Sequence, residues 1–192
     1  MVSDLILSIF AFYLFSQHRI LSKLWSMFFL FMGLSAFVGG IYHGFPEIGE
    51  QFRFLSWTLF SSSLIYAQLA AYKSVKSNSV KIIFILKSII LLFLSILYHD
   101  FGFIVIDTAM SMLGFVLIGN LFFIKSLSKY INYGIMVSFA SAYFVIYKIS
   151  FHAQHLTYND IGHYISIVSI ILISRGVRED SLKQIEKVKE AT

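Results

Sequence analysis

Seven runs of mainly apolar residues, separated by short polar stretches, follow one another along the 192-residue chain. A membrane-crossing helix needs about 20 predominantly apolar residues, and most of the runs approach this length. Unbroken apolar runs favour helices over the alternating pattern of a transmembrane barrel. The pattern therefore predicts an all-α fold, a seven-transmembrane helical bundle. The seven runs cover residues 2–15, 24–44, 54–72, 80–98, 101–123, 130–151 and 158–174.

The two ends of the chain complete this predicted organisation. The first run carries Asp4 with no Lys or Arg before it, which predicts a retained helix and not a signal peptide. Residues 1–175 are expected to form the transmembrane domain, and residues 176–192 a short cytoplasmic tail. The tail mixes charges with Leu182, Ile185 and Val188, a spacing that predicts a helix. A solvated extension of span seven is favoured over a partner-binding helix.

Composition and charge support the membrane assignment and orient the bundle. Hydrophobic residues make up 58% of the chain and charged residues only 13%, which excludes an ordinary soluble domain. The formal charge of +5 does not indicate nucleic-acid binding, because the basic residues lie in alternate short loops and in the tail. By the positive-inside rule, we expect the N-terminus outside and the C-terminus in the cytoplasm. The basic positions are Arg19, Lys23, Lys73, Lys76, Lys125, Lys129, Arg175 and Arg178.

Candidate chemistry concentrates on the predicted outer side. The chain has no cysteine, so thiolate catalysis, disulfides and iron–sulfur clusters are excluded. Nucleophile elbows, phosphate-binding glycine loops and HExxH are absent from the sequence, and span seven has no lysine for a retinal Schiff base. Of the six histidines, all but His18 are expected at the outer face, together with three carboxylates. These outer groups are His43, His99, His152, His155, His163, Asp100, Asp107 and Asp160.

Asp107 is an ionisable residue inside an apolar run, in the segment FIVIDTAM, about 9 Å into span five. Such residues face the bundle interior and usually carry function, so Asp107 is a candidate catalytic residue. We expect His43, His163 or a metal-bound water to meet it. A structural ion pair, with a histidine or with Lys148, is the alternative. Lys87, deep in span four, has no evident partner in the sequence.

The segment HLTYNDIGH, residues 155–163, is the strongest local signal. His155 and His163 are eight residues apart and share one face of a helix that begins early enough. Asp160 either caps that helix or holds a ligating imidazole in the correct tautomer, which makes it a candidate catalytic residue. Three histidines, His43, His155 and His163, would bind zinc and leave a fourth position for water. Zinc lowers the pKa of bound water to about 7, and the resulting hydroxide attacks esters and amides.

These features resemble the CREST superfamily of seven-transmembrane hydrolases, which includes alkaline ceramidases, progestin and adipoQ receptors and Per1-type proteins. The family pattern is Ser-x-x-x-His at the end of span two, an Asp near span three and His-x-x-x-His opening span seven. GGIYHGF, the Asp107 segment and YNDIGHYISI…LISRGVR are more closely similar to an uncharacterised bacterial branch. The resemblance covers about a third of the residues and the whole span layout.

The carry-over of the family's residues is partial. His43 matches the span-two ligand and His163 the second span-seven histidine, whereas Asn159 stands at the first. Gly39 occupies the serine position, and span three has no carboxylate. Tyr158 stands where the bacterial branch has a histidine. His155 or His152 would replace the missing ligand, and Asp107 the missing carboxylate; the alternative is that metal and activity are lost.

The sequence and the resemblance together lead to one main expectation and two alternatives. The main expectation is a zinc-dependent lipid amidase or esterase, ceramidase-like, in a bacterial inner membrane with its polar site facing outward. Zinc is the expected cofactor, and a membrane lipid is the expected substrate or ligand. The second candidate is a non-enzymatic receptor or sensor with a degenerate metal site. The third is a small transporter or channel using Asp107, Lys87 and Lys148.

Overall fold

The computed structural model describes residues 1–75, 77–124, 127–152 and 156–191, and within these ranges the protein is all-helical, with no β-strand. Each predicted apolar run corresponds to one helix. The helices are α1 (Val2–His18), α2 (Lys23–Gly44), α3 (Glu50–Ala71), α4 (Asn78–Tyr98), α5 (Gly102–Thr108), α6 (Lys129–Ile146) and α7 (Tyr158–Ala191). A single 3₁₀ turn, Pro46–Ile48, precedes α3.

The fifth helix changes its winding part-way along. After Thr108, α5 continues as π-helical turns over Ala109–Ile118 and Asn120–Ile124. π-Helical turns are rare and are found frequently at functional sites. The change begins two residues after Asp107.

The protein is a membrane protein by composition and by helix length. Among the described residues, four helical stretches are long and apolar enough to cross a membrane: Lys23–Gly44, Asn78–Tyr98, Gly102–Phe123 and Tyr158–Lys187. The first helix, Val2–His18, is apolar but shorter. On α4, large apolar side chains such as Ile83 and Ile90 are more than half exposed. An aqueous surface would not favour this exposure, whereas lipid contact does.

The core lies where consecutive helices pack together and where the first and last helices meet. The second helix, α2, packs against both α1 and α3, and α7 packs against α1 and α6. The buried side chains of the core include Phe28, Phe29, Leu64, Ile170 and Ile173. Since α1 contacts both α2 and α7, the beginning of α1, the end of α2 and the beginning of α7 come together at one end of the bundle.

The sixth helix is shorter than its apolar run predicts, since it ends at Ile146 and not near residue 151. Lys148 has a φ of +51°, in the left-handed region that ends helices. Its side chain is exposed beyond the end of α6. Lys148, which the transporter alternative uses as an intramembrane charge, therefore lies beyond the end of α6.

The charged tail is continuous with α7, which runs for 34 residues without a break. Its carboxylates bind the beginning of α6. The Ser128 backbone N–H donates to Asp180 Oδ2 (2.9 Å), and the Ser128 hydroxyl donates to Glu179 Oε2 (2.7 Å). Negative charge at a helix N-terminus is favourable, so the tail stabilises the start of α6.

Candidate functional site

A buried carboxylate joins two histidines where α1, α2 and α7 meet. Asp4, on the first turn of α1, is 2% exposed. Its Oδ1 lies 3.1 Å from His43 Nδ1, at the end of α2, and 3.5 Å from His163 Nε2, near the start of α7. Its Oδ2 lies 2.9 Å from the Met1 amino group. We refer to Asp4, His43 and His163 as the Asp4 cluster.

The two glycines before His43 make this cluster possible. A Cβ on Gly40 would lie 2.9 Å from the Asp4 Cβ, closer than real Cβ contacts. Residues 40 and 43 are three apart and share one helix face, so the gap left by Gly40 brings Asp4 within reach of His43. A Cβ on Gly39 would lie 3.1 Å from Ser56 Oγ. Small residues thus allow α1 and α3 to approach α2 closely.

Ser3 and Asp160 contact His163 on the side of its other ring nitrogen, Nδ1. The Ser3 hydroxyl donates to Asp160 Oδ1 (2.6 Å) and also lies 3.0 Å from His163 Nδ1. A hydroxyl has one proton, and a carboxylate can only accept, so that proton goes to Asp160. His163 must then donate its Nδ1–H to Ser3. The network thereby assigns the tautomer of His163 and leaves its Nε2 facing Asp4.

This tautomer places a lone pair against a carboxylate. A neutral His163 would direct its unprotonated Nε2 towards Asp4 Oδ1, which is also an acceptor. The contact becomes favourable when a positive charge lies between the two atoms, either as a second imidazole proton or as a bound cation. Zinc bonds of about 2.0–2.2 Å place tetrahedral donors about 3.3 Å apart. The separations of 3.1 and 3.5 Å lie near this value, and 3.1 Å is equally the length of a hydrogen bond between His43 and Asp4.

A complete metal site is not present in the ranges that the structure describes. Within them, no group of three or more His, Cys, Asp or Glu side chains is arranged to hold a metal ion. His155, the third predicted zinc ligand, lies outside the described residues. The structure therefore brings two of the three predicted ligands, His43 and His163, to one carboxylate that was not predicted.

Asp160 caps α7 with one carboxylate oxygen and contacts Ser3 with the other. Its Oδ2 accepts from the Thr157 N–H (3.1 Å) and from the Thr157 hydroxyl (2.7 Å), while the Asp160 N–H donates back to Thr157 Oγ1 (3.4 Å). This reciprocal arrangement is a capping box that starts α7. Its Oδ1 binds Ser3, which contacts His163. The beginning of α7 and the orientation of His163 are thus coupled.

A cavity of about 380 Å³ opens beside the Asp4 cluster. The His43 side chain is 42% exposed and the His163 side chain 24%. The cluster is therefore reachable from outside the bundle. The cavity is lined by Met1, Asp4, Tyr42, His43, Pro46, Thr157, Asn159 and Asp160.

Asp107 lies in a different polar group, between α4 and α5. Its side chain is fully buried, and its Oδ1 forms an ion pair with Lys87. Ser88 Oγ (3.0 Å) and Ser111 Oγ (3.2 Å) donate to the same oxygen. The expected partners were His43, His163 or a metal-bound water, but the partner is Lys87. Lys87, which had no evident partner in the sequence, therefore pairs with Asp107, in keeping with the rule that buried charges are paired.

The remaining described histidines lie elsewhere. His99 ends α4 with a φ of +54°, and its Nδ1 lies 2.9 Å from Glu50 Oε2. His152 forms a backbone bridge with Leu156, with N–O distances of 3.2 and 3.0 Å. His18 lies near the opposite end of the bundle, 2.7 Å from Ser174 Oγ.

Sequence reasoning missed Asp4 and Ser3 as site residues. Asp4 was used only to argue against a signal peptide. The signal was available, since Asp4 is an ionisable residue in an apolar run, the property that singled out Asp107. Its position in the first turn suggested a helix-end charge, and only the crossing of α1 over Gly40 shows that it is buried.

Comparison with known proteins identifies one family. The model of the Family of unknown function (DUF6962) matches residues 1–182. No curated protein and no solved structure matches the chain.

Proposed function

The chain belongs to the DUF6962 family, which is of unknown function, and we propose from the chain's own chemistry that it is an integral-membrane hydrolase cleaving an amide or ester bond in a lipid. The single observation that carries the proposal is the Asp4 cluster, in which one buried carboxylate meets two histidines beside an open cavity. Buried polar groups of this kind are costly in a membrane protein and are usually functional. The proposal agrees with the resemblance to the CREST hydrolases.

Zinc is the proposed cofactor, with His43 and His163 as ligands and His155 as the third. Asp4 contacts both described histidines and would lie beside the reacting group. When bound, zinc would supply an activated water for attack on the lipid carbonyl. Two imidazoles and a carboxylate are donors that zinc accepts. The lone pair of His163 Nε2, directed at Asp4 Oδ1, supports a cation at this point.

The other residues of the site would prepare it. Ser3 and Asp160 would hold His163 with its proton on Nδ1 and keep Nε2 available, as hydrogen-bond partners of metal-binding histidines commonly do. Asp107 would fix α4 on α5 through Lys87 and take no part at the histidines. In this proposal, the carboxylate beside the reacting group is Asp4.

We propose a seven-span topology with the N-terminus outside, the C-terminus in the cytoplasm and the cavity facing outward from a bacterial inner membrane. The alternation of basic loops supports this orientation. The cavity volume of about 380 Å³ lies at the lower end of the range for small-molecule sites. It would accommodate the scissile bond and adjacent headgroup atoms of a lipid.

A receptor or sensor is the second candidate, because the Asp4 cluster can also exist without a metal. A second proton on His163 also satisfies the contact with Asp4, without any metal. The same cluster would then be a charged structural or ligand-binding site. Metal content separates the two candidates.

The test uses full-length protein purified in detergent, with zinc measured by elemental analysis and hydrolysis of short-chain lipid amides and esters measured on the same samples. We expect stoichiometric zinc and turnover in the wild type, and loss of both in His43→Ala and His163→Ala. His99→Asn is the matched control, because asparagine tolerates the left-handed backbone at that position. A wild type that contains no zinc and takes up none at neutral pH would exclude the zinc hydrolase and favour the receptor.

A further inference from the structure

An apolar groove separates α5 from α6 and encloses about 730 Å³. One wall is formed by leucines four residues apart, Leu113, Leu117 and Leu121. The other wall includes Met136 and Phe139 of α6. Leu121 and Met136 are more than half exposed. The groove therefore opens to the surroundings of the bundle.

The groove exists because α6 is held against the opposite neighbour, α7. A Cβ on Gly134 would lie 2.8 Å from the Ser169 carbonyl oxygen, so only glycine allows this approach. The Ser169 hydroxyl donates to the Gly134 carbonyl (2.8 Å) and fixes the contact. With α6 drawn to α7, the space on the α5 side stays open.

One end of the groove is basic. Lys129, the first residue of α6, lines the groove and is exposed. It forms no ion pair within 4.0 Å among the residues that the structure describes. Glu179, a carboxylate that interacts electrostatically with Lys129, is already bound to Ser128 and Lys183. The positive end of the α6 dipole adds to this charge.

The length of the groove matches one leaflet of a bilayer. Ten residues separate Lys129 from Phe139, which corresponds to about 15 Å along an α-helix. The hydrocarbon core of a bilayer is about 30 Å thick, so the groove spans half of it. A headgroup at Lys129 would therefore place its acyl chain along the leucine wall.

We infer that this groove binds one acyl chain of an anionic phospholipid whose phosphate pairs with Lys129. The proposal is independent of the hydrolase proposal, because Lys129 begins α6 at the end of the bundle opposite the Asp4 cluster. The attraction between one lysine and an anionic headgroup favours an anionic lipid about fivefold over a zwitterionic lipid. The leucine wall supplies the apolar contact that retains the chain.

The experiment reconstitutes full-length protein in nanodiscs containing equal phosphatidylglycerol and phosphatidylcholine, and then measures retained lipid by native mass spectrometry. The wild type should retain one phospholipid with phosphatidylglycerol in excess. Lys129→Gln should keep a lipid but lose about fivefold of the preference. Lys73→Gln, a loop lysine outside the groove, is the matched control and should behave as wild type.

Filling the groove tests the acyl chain separately. Met136→Trp should lose the retained lipid, whereas Met110→Trp, at an exposed methionine outside the groove, should keep it. Leu121→Trp, on the opposite wall, should also lose the lipid, and it provides the test if Met136→Trp fails to fold. Retention of equal lipid by the groove and control tryptophan variants would overturn the proposal. A phosphatidylglycerol preference unchanged in Lys129→Gln would overturn the role of the lysine.

Discussion

Asp4 Oδ1 and His43 Nδ1 lie 3.1 Å apart although 39 positions separate the two residues in the chain. The contact depends on Gly40, which leaves the space that the first turn of α1 occupies. In the sequence, this motif is two glycines before a histidine. In the fold, it leaves room for the Asp4 carboxylate of α1.

Gly40→Ala should separate Asp4 from His43, because the added Cβ would lie 2.9 Å from the Asp4 Cβ. Overpacking of this kind costs about 1–3 kcal/mol, so the melting temperature should fall. Gly114→Ala is the control, since a Cβ there meets nothing within 4 Å. That variant should match or exceed the stability of the wild type. Equal melting temperatures for the two variants would contradict the close approach of α1.

Ser3→Ala should weaken zinc binding although it removes none of the proposed zinc ligands. Removing the acceptor from His163 Nδ1–H frees the ring to turn, and losses of this kind cost about 10–100-fold in metal affinity. Ser3→Thr keeps the hydroxyl and should restore the affinity. Ser8→Ala is the control, because Ser8 is also buried on α1 but donates to the Gly33 carbonyl. Metal titration would disprove the positioning role if Ser3→Ala and Ser8→Ala bound zinc equally well.

Asp107→Asn should lower stability and leave turnover per folded molecule nearly unchanged, because Asp107 pairs with Lys87 and not with the histidines. Removing one member of a buried ion pair costs about 3–5 kcal/mol. The double variant Lys87→Met with Asp107→Leu removes both charges and should recover part of the loss. Thermal melting and hydrolysis measured on one preparation test this. A stable Asp107→Asn protein without activity would return Asp107 to the mechanism.

The proposed topology predicts opposite sides for two points in the chain. A reporter fused after the charged tail should report the cytoplasm, and one inserted between α2 and α3, within residues 45–49, should report the outside, because the basic loops alternate along the sequence. Paired fusions to alkaline phosphatase and a fluorescent protein give complementary signals. The same side for both points would refute the seven-span arrangement.

Much of the fold was readable from the chain because hydropathy is a local property. Each apolar run became a helix, and the errors lie at helix ends, as at Ile146. The convergence of His43 and His163 was also predictable, since one ends the second run and the other begins the seventh. The role of Asp160 as a cap followed from its position near the start of α7.

The pairing of polar side chains between helices was not readable in the same way. The sequence by itself determined that the protein is an all-helical membrane protein with histidines near one end, because run length and residue type depend on neighbours in the chain. Only the tertiary structure decided that Asp4 meets His43 and His163 and that Asp107 meets Lys87. Such pairs depend on how far each helix is rotated and how closely it approaches its neighbour. Those quantities are decided by contacts such as Gly40 against Asp4, which join residues far apart in the chain.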